Sequence, residues 1–163
     1  MRVLIDTNVL LDAIFLREPF CGDSKKIFSL VREEKIVGCV SVQSLKDIFY
    51  LCKRSNRFKD PLQTVEKLSF IFEVIDVNGQ DSMSALMSGM EDYEDGLLAF
   101  SAQRNNIDGI ITRNGKDFYD SDIAIIDPKD IEQYVDVGVD AGNAIIDELY
   151  YHIIDVKYGK DPD

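Results

Sequence analysis

The feature that most constrains the fold is an alternation of short apolar runs with segments of helical periodicity. Residues 2–5, 36–42, 72–77, 109–112 and 123–126 are apolar stretches of the length of buried strands. Between them, apolar residues recur every three or four positions, which predicts helices. Strands that alternate with helices form a parallel sheet covered on both faces. We therefore expect an α/β fold of three layers.

Polar residues mark the points where helices are expected to begin. Asp6-Thr7-Asn8 directly follows the first apolar run, and side chains of these types prefer helix caps to strand interiors. A helix that contains Met83 and Met87 is expected farther along, and its methionines are interpreted as core filler. The other helical segments are expected to start at Asp23-Ser24, Ser44, Asp60-Pro61, Asp81-Ser82, Asp92 or Glu94, and Pro128.

The length of 163 residues suits one domain with its own core. A chain of this size buries roughly 68–70% of its unfolded surface, so it needs no disulfide or metal to fold. The expected domain covers residues 1–135, and residues 136–163 form an expected C-terminal helical extension with a charged tail. An apolar stripe from Ile145 to Ile154 is expected to pack onto its own domain or against another chain, and both remain open.

The composition excludes several classes of protein. Hydrophobic residues make up 45% of the chain and charged residues 29%, which is typical of a globular protein and not of a disordered one. No apolar run approaches the roughly 18 residues of a membrane span, and the start becomes polar too soon for a signal peptide. Cys21, Cys39 and Cys52 are odd in number and form no C-x-x-C pair. A reducing, cytoplasmic location is therefore expected.

The net charge of −12 is unevenly distributed along the chain. Residues 17–67 carry eleven basic and seven acidic side chains, whereas residues 68–163 carry six basic and 21 acidic ones. The overall sign excludes a uniformly basic nucleic-acid binder, because phosphate binding depends on Lys and Arg. A local basic face remains a hypothesis beside that of a solvated helix surface. Its candidate residues are Lys46, Lys53, Arg54, Arg57 and Lys59.

Acidic side chains stand near the ends of the expected strands. Asp6 follows the first strand and Asp117 follows the fourth, while Asp95 lies near the start of the helix before that fourth strand. Asp47 lies in the helix after the second strand. Ligands bind outside the carboxyl ends of the strands of an open parallel sheet, so these carboxylates are expected at one rim. Their mutual repulsion favours a hard divalent cation, Mg²⁺ or Mn²⁺, which prefers oxygen ligands.

Each carboxylate also has a local explanation. Asp6 can cap a helix, Asp95 can favour the positive end of a helix dipole, Asp117 can close a turn, and Asp47 can be a solvated helical residue. Zinc has too few nitrogen or sulfur ligands, because His152 is the single histidine. No G-x-x-x-x-G-K-[ST], G-x-S-x-G or G-x-G-x-x-G sequence is present, so phosphate-binding loops and serine hydrolases lack support.

Four stretches of the chain resemble the motifs of PIN-domain nucleases. They are Leu4-Ile5-Asp6-Thr7-Asn8-Val9-Leu10-Leu11-Asp12, Ser41-Val42-Gln43-Ser44-Leu45-Lys46-Asp47-Ile48, Asp92-Tyr93-Glu94-Asp95-Gly96-Leu97-Leu98-Ala99 and Ile110-Ile111-Thr112-Arg113-Asn114-Gly115-Lys116-Asp117-Phe118. Their order and approximate spacing fit the family over about residues 1–135, and the first and last motifs are the most specific. The resemblance implies a Rossmann-like, three-layer α/β/α PIN domain with a central, mainly parallel sheet.

The resemblance also implies a function. PIN-domain nucleases cleave RNA with Mg²⁺ or Mn²⁺, often as VapC-type toxins paired with an antitoxin. The matching positions for metal ligands are Asp6, Asp95 and Asp117. Asp47 stands where the family usually has Glu, and its shorter side chain suggests contact through water. Asn114 stands where many relatives carry Asp, so the expected catalytic set has one negative charge fewer.

Further residues match supporting positions of the family. Thr7, Asn8 and Thr112 match polar positions that orient the acidic cluster. Arg113 is a candidate contact for substrate phosphate, with solvent as the alternative, and Asp12 is left outside the predicted site. The expected reaction is endonucleolytic hydrolysis that leaves a 5′-phosphate and a 3′-hydroxyl. The expected partners are RNA, an antitoxin protein and a second copy of the chain, and no membrane.

Two other functions remain open from the sequence. The chain is a weakened, PIN-like RNA- or metal-binding module with a regulatory role if Asn114 and the short Asp47 have abolished the chemistry. A phosphoacceptor receiver domain also combines an α/β fold with an acidic pocket. That class expects paired acids after the first strand, whereas here the single Asp6 is followed by Thr7-Asn8. Cleavage with Mn²⁺ tests the first alternative, and labelling by a small phosphodonor tests the second.

Overall fold

The computed structural model describes residues 1–118 and 123–135, and its centre is a five-stranded parallel sheet. Because β1 lies between β2 and β4, the chain order reverses at β1, and ligands bind at such a reversal. The predicted three-layer α/β architecture is confirmed. The sheet order is β3-β2-β1-β4-β5, with β1 at Arg2–Ile5, β2 at Val37–Ser41, β3 at Glu73–Ile75, β4 at Gly109–Ile111 and β5 at Ala124–Ile126.

Helices in the described part of the chain connect the strands and cover both faces of the sheet. Residues of α1 to α4 belong to the apolar core on one face, and residues of α6 belong to the core on the other. This division follows from right-handed crossovers, which change face when the strand order reverses. The helices are α1 (Thr7–Phe15), α2 (Cys21–Arg32), α3 (Val42–Ser55), α4 (Pro61–Ile71), α5 (Gly79–Met87) and α6 (Tyr93–Arg104).

The central strand supplies apolar side chains to both cores. Val3 and Ile5 belong to the core under α1 to α4, whereas Leu4 belongs to the core under α6 with Leu98 and Ile110. This alternation is the period of two of a β-strand. Because both faces of β1 are covered, its side chains read as one continuous apolar run in the sequence.

Several predicted helix starts are confirmed. The carboxylates of Asp6, Asp60 and Asp92 accept hydrogen bonds from backbone N–H groups in the first turns of α1, α4 and α6. These N–H groups have no partner inside the helix, which is why acidic and hydroxyl side chains are favoured there. The predicted start of the second helix is wrong, because α2 begins at Cys21 instead of Asp23-Ser24 and no side chain caps it.

Helix α5 also begins before its predicted start at Asp81-Ser82. The side chain of Asn78 accepts hydrogen bonds from the N–H groups of Gln80 and Asp81, and the Asp81 carboxylate accepts one from the Asn78 N–H. This reciprocal capping box satisfies backbone donors on both sides of the first turn, so the helix starts at Gly79.

The interpretation of the methionines as core filler is wrong. Met83 and Met87 are 57% and 80% exposed, because α5 packs against α6 through its small residue Ala85. A Cβ atom added at Gly96 of α6 would lie 3.0 Å from the Ala85 Cβ. The missing side chain at Gly96 therefore allows the two helices to pack closely and holds the acidic start of α6 in place.

The end of the described chain differs from the prediction in detail. The closing helix predicted from Pro128 to Val135 is a 3₁₀ helix over Pro128–Gln133, which begins where Asp127 caps it. The predicted extension of residues 136–163 lies outside the described residues, and His152 with it. Within residues 1–118 and 123–135, no helix combines the length and hydropathy needed to cross a bilayer.

Candidate active site

An open cleft of about 720 Å³ lies beside the carboxyl end of β1. Three helices contribute side chains to it: α1 directly follows β1, α3 directly follows β2, and α6 directly precedes β4. This convergence is the one expected at the carboxyl ends of parallel strands. The lining residues are Thr7, Asn8 and Leu11 from α1, Lys46, Asp47, Tyr50 and Leu51 from α3, and Glu94 from α6.

Asp6 directly follows β1, and its residue is only 6% exposed. Its Oδ2 accepts a hydrogen bond of 2.9 Å from the Thr112 hydroxyl, and its Oδ1 accepts one of 3.3 Å from the Asn8 N–H. Burial raises the pKa of Asp6, while these hydrogen bonds and the positive charge of Arg113 oppose the rise. A buried carboxylate whose pKa is raised beside a cleft is a frequent property of active sites.

Thr112 connects the ends of the two central strands. Its hydroxyl donates to Asp6 and accepts a hydrogen bond of 3.0 Å from the Asn114 N–H. Its own N–H donates to the carbonyl of Ile126 in β5. Because the Asn114 N–H occupies an acceptor position of the hydroxyl, the hydroxyl proton is directed to Asp6. Thr112 is therefore in contact with Asp6, and its role in orienting a metal ligand stays a prediction.

Buried hydroxyl groups join α1 to α3 beneath the cleft. The Thr7 hydroxyl donates to Ser44 Oγ at 2.8 Å, and Ser44 Oγ lies 2.9 Å from Ser41 Oγ. Ser41 caps α3 by accepting the Ser44 N–H, so α3 begins at Val42, before the predicted Ser44. Asp47 lies three residues after Ser44 on the same side of the helix, which directs it to the cleft beside Thr7.

Glu94 is a site residue that sequence reasoning missed. It lines the cleft, and burial together with the negative charges of Asp47, Asp92 and Asp6 raises its pKa. These causes show that carboxylates from three separate parts of the chain act on one another here. The sequence does contain a signal for Glu94, because residues 92–95 include three acidic side chains. The resemblance to the family, however, matches only Asp95 to a metal-ligand position.

The remaining predicted acidic residues have different placements. Asp95 is half-buried in the first turn of α6, and its N–H donates to Asp92 at 3.2 Å. The Asp117 backbone lies in a 3₁₀ helix over Gly115–Phe118, and its side chain lies outside the described part of the chain. Asp47 forms an ion pair of 3.1 Å with Lys46, which also lines the cleft.

Arg113 is held by a residue that the sequence analysis left outside the site. Its Nε lies 2.7 Å from Asp12 Oδ2, and its Nη2 donates to Asp12 Oδ1 at 3.3 Å. The guanidinium also lies 4.0 Å from the centre of the Phe20 ring. Asp12 is completely buried, so this ion pair joins the loop after β4 to the interior side of α1.

The other basic candidates lie on α3 or directly after it. Lys46 is in the cleft, and Lys53 and Arg54 are in the last turn of the helix. Arg57 follows the helix, and its Nη1 lies 3.5 Å from the carbonyl oxygen of Phe15. The predicted basic segment therefore continues from the cleft along one helix.

The acidic residues of the cleft suit a hard divalent cation in their donor chemistry. Asp47 and Glu94 on the cleft wall, and Asp6 directly before the lining residue Thr7, supply carboxylate oxygens, which Mg²⁺ and Mn²⁺ prefer. The raised pKa values of Asp6 and Glu94 reflect a cost of ionisation that a nearby cation would remove. Among the described side chains, no three acidic, histidine or cysteine residues are grouped closely enough to hold an ion by themselves.

Solved structures with this fold include proteins of toxin–antitoxin systems. A toxin–antitoxin complex from Klebsiella pneumoniae is 21% identical, with a TM-score of 0.59 over 77% of this chain and 97% of that chain. DNA-bound VapBC from Salmonella typhimurium is 21% identical, with a TM-score of 0.60 over 78% and 98%. FitAcB from Neisseria gonorrhoeae is 19% identical, with a TM-score of 0.57 over 78% and 98%. At these identities the likeness shows the fold alone.

No curated protein sequence matches the chain. The model of the PIN domain matches residues 2–116, which is most of the chain and includes the predicted acidic residues Asp6, Asp47 and Asp95. PIN domains are generally nucleases that use divalent metals. The chain thus belongs to the PIN domain family.

Proposed function

We propose that this chain is a metal-dependent endoribonuclease that hydrolyses RNA phosphodiesters and acts as the toxin of a toxin–antitoxin pair. The observation that carries the proposal is the placement of Asp6. It is a buried carboxylate at the reversal point of the sheet, it is oriented by Thr112, and it lies beside a cleft with further carboxylates. Membership of a family of nucleases supports hydrolysis as the reaction.

Asp6, Asp95 and Asp117 are the residues that would hold Mg²⁺ or Mn²⁺. When bound, the cation supplies positive charge that stabilises the negative charge developing on the phosphate and on the departing 3′-oxygen. Asp47 and Glu94, on the cleft wall, align or deprotonate the attacking water. The raised pKa of Glu94 supports its role as a base, because a general base is most effective when its pKa lies nearer the working pH.

The polar residues around Asp6 keep the site organised. Thr112 and the Asn8 N–H hold both oxygens of Asp6, and Thr7 ties α1 to the helix that carries Asp47. Such supporting contacts fix the orientation of ligand side chains before the ligand arrives. Hydrolysis in this arrangement leaves a 5′-phosphate and a 3′-hydroxyl.

The RNA backbone binds along α3 in this proposal. Lys46 starts the basic segment inside the cleft, and Lys53, Arg54 and Arg57 continue it toward the end of the helix. The segment lies beside the acidic cleft, which lets phosphates approach a chain of net charge −12. Arg113, next to Thr112, is a further phosphate contact.

An antitoxin protein is the proposed partner. The solved structures with this fold include toxin–antitoxin complexes from two organisms, which supports a protein partner at this kind of domain. Residues 68–163 carry 21 acidic and six basic side chains, and this excess favours a basic segment in the partner.

Purified Asp6→Asn tests the proposed activity against the wild type and against Asp23→Asn. Asp23 is a suitable control because it is a surface carboxylate whose ion pair with Lys26 spans 3.8 Å. We expect the wild type and Asp23→Asn to cleave RNA with Mg²⁺ or Mn²⁺, and Asp6→Asn to lose cleavage while its circular dichroism is unchanged. Equal cleavage by all three proteins would contradict the proposal.

The same assay separates the proposal from the regulatory alternative. A wild-type chain that binds RNA with metal present but cleaves nothing in Mn²⁺ would indicate a binding module, in which Asn114 and the short Asp47 have removed the chemistry. Mn²⁺ is the stringent condition because it binds such ligands more tightly than Mg²⁺.

A further inference from the structure

Three arginines lie around the second half of α1, the helix whose first residues line the acidic cleft. Arg113 lies 2.7 Å from Asp12, and Arg17 lies 3.8 Å from the same carboxylate. Arg57 contacts the carbonyl oxygen of Phe15, three residues farther along α1. Three guanidiniums thus meet one buried carboxylate and one carbonyl oxygen.

Asp12 is the centre of this arrangement. Its side chain is fully buried, whereas those of Arg113 and Arg17 are 31% and 42% exposed. A buried charge is costly unless it is paired, so the carboxylate holds its partners firmly. The outward parts of both guanidiniums remain accessible. Burial raises the pKa of Asp12, the arginines oppose this rise, and the charge of Asp6 adds to it, which places the cluster within electrostatic reach of the catalytic carboxylate.

Two aromatic rings hold the same cations without neutralising them. Arg113 lies 4.0 Å from the centre of the Phe20 ring. Arg17 and Arg57 lie 5.5 Å and 5.8 Å from the centre of the Phe15 ring. A cation over an aromatic face is attracted by the ring but keeps its full charge. The rings therefore restrict the side chains and leave their charge for a ligand.

The cationic cluster is continuous with the acidic cleft. Asn8 and Leu11 line the cleft, and Asp12 follows one turn after Asn8 on the same side of α1. Directly after β4, Arg113 follows Thr112, whose hydroxyl donates a hydrogen bond to Asp6. A nucleic-acid strand that leaves the cleft along α1 therefore meets the arginines next.

We propose that Asp12 is a positioning residue that sets Arg113 and Arg17, together with Arg57, in a row that binds the phosphates of the RNA strand beside the scissile bond. This inference rests on the proposed function and deepens it by naming a substrate-binding row and the residue that aligns it. The N–H groups of a guanidinium that face away from Asp12 match the oxygens of a phosphate in a fork geometry that lysine lacks.

Binding of an uncleaved RNA tests the row without reference to activity. The probe is a fluorescent single-stranded RNA, and its affinity is measured by anisotropy at several salt concentrations with divalent metal removed by chelation. Removal of one phosphate contact flattens the slope of log affinity against log salt by about 0.7. We expect this change in Arg17→Gln, Arg57→Gln and Arg113→Gln, and no change in Arg32→Gln, an exposed arginine in the last turn of α2.

A double-mutant cycle tests the role of Asp12. If Asp12 acts through Arg113 and Arg17, Asp12→Asn weakens RNA binding in the wild-type background and has little further effect in the double variant Arg17→Gln/Arg113→Gln. Equal losses in both backgrounds would overturn the positioning role. Arg113→Lys keeps a positive partner for Asp12, so it remains informative if Asp12→Asn does not fold. We expect RNA affinity below the wild type in Arg113→Lys, and wild-type affinity in this variant would also overturn the role.

The outcomes distinguish this inference from the proposed function. If the wild type binds and cleaves RNA but the salt slopes of the three glutamine variants equal the wild-type slope, the arginine row is wrong and the nuclease proposal stands. If the wild type neither binds nor cleaves RNA, RNA is not the substrate and both proposals fail.

Discussion

The hydroxyl of Thr112 donates a hydrogen bond of 2.9 Å to Oδ2 of Asp6, across 106 residues of sequence. The contact joins the ends of β1 and β4, the two strands at the reversal point of the sheet. Thr112→Val removes the donor and keeps the shape of the side chain. We expect metal affinity or cleavage to fall about 10- to 100-fold, because a supporting contact of the metal ligand is lost.

Thr112→Ser is the matched control for this prediction, because it keeps the hydroxyl and removes only a methyl group. Titration with Mn²⁺ and cleavage at saturating metal measure the two effects separately. Wild-type metal affinity and cleavage in Thr112→Val would show that the hydroxyl has no part in organising Asp6.

Glu94 provides a second prediction at the cleft. Glu94→Gln keeps the size of the side chain but removes a carboxylate whose pKa is raised by burial and by the charge of Asp47. We expect cleavage to fall at least tenfold at saturating RNA, as for a general base. Glu91→Gln is the control, since Glu91 is an exposed acid just before the same helix. Equal rates in the two variants would remove Glu94 from the mechanism.

The hydroxyl chain beneath the cleft predicts a change in stability. Ser44→Ala leaves the buried Thr7 hydroxyl without its 2.8 Å acceptor and removes a contact of Ser41. We expect the free energy of unfolding to fall by about 1–3 kcal/mol, the cost of a buried polar group that loses its partner. Urea denaturation measures it. Ser69→Ala, an exposed hydroxyl bonded to its own helix, should change stability by less than about 0.5 kcal/mol.

A pH-dependent prediction concerns the ion pair between α5 and α6. Asp81 accepts hydrogen bonds from Arg104 Nε and Nη2 at 2.9 Å and 2.8 Å. Burial alone would raise the pKa of Asp81, but the hydrogen bonds from Arg104 and the Asn78 N–H and the charge of Arg104 outweigh it, so the pKa lies below its ordinary value of 3.8. A lowered pKa in the folded state stabilises the protein above 3.8, and this stability is lost as the pH falls through the folded value.

Replacement of Asp81 should therefore remove the stabilisation that its ion pair with Arg104 provides. The dependence of that stabilisation on acid pH should disappear with it. We expect the free energy of unfolding of Asp81→Asn to be lower than that of the wild type at pH 7, because the carboxylate that accepts hydrogen bonds from Arg104 and from the Asn78 N–H is lost, while Arg104 keeps only Asp76 as an acidic partner among the described residues. We also expect the difference from the wild type to shrink as the pH falls below about 4. Urea denaturation at a series of pH values measures both. If the difference in unfolding free energy between Asp81→Asn and the wild type did not change with pH, the lowered pKa of Asp81 would be contradicted.

Local signals were sufficient for the order of the elements. The strands and most helix starts followed from short apolar runs and from caps such as Asp60 and Asp92, whose hydrogen bonds stay within a few residues. The start of α5 differed because Asn78 and Asp81 cap it reciprocally, a geometry that the cap residues alone do not specify. Met83 was misplaced because helical periodicity does not show which side of a helix meets the sheet.

The candidate site was predictable only in part. Asp6 and Asp47 could be assigned to one rim, because the carboxyl ends of parallel strands share an edge. The sequence could not rank Glu94 against Asp95 in one helical turn, since a difference of about 100° in direction decides which of the two side chains lines the cleft. Only the packing of α6 against its neighbours decides that direction.

By itself, the sequence determined the α/β architecture and the position of Asp6 at a strand end, because periodicity and capping act between near neighbours in the chain. Only the tertiary structure decided that the buried Asp12 and the partly exposed Arg113, 101 residues apart, form an ion pair. The physical reason is that the burial and pairing of a charge depend on which elements the sheet order brings together. The local sequence around a charged residue does not specify which distant residue it pairs with.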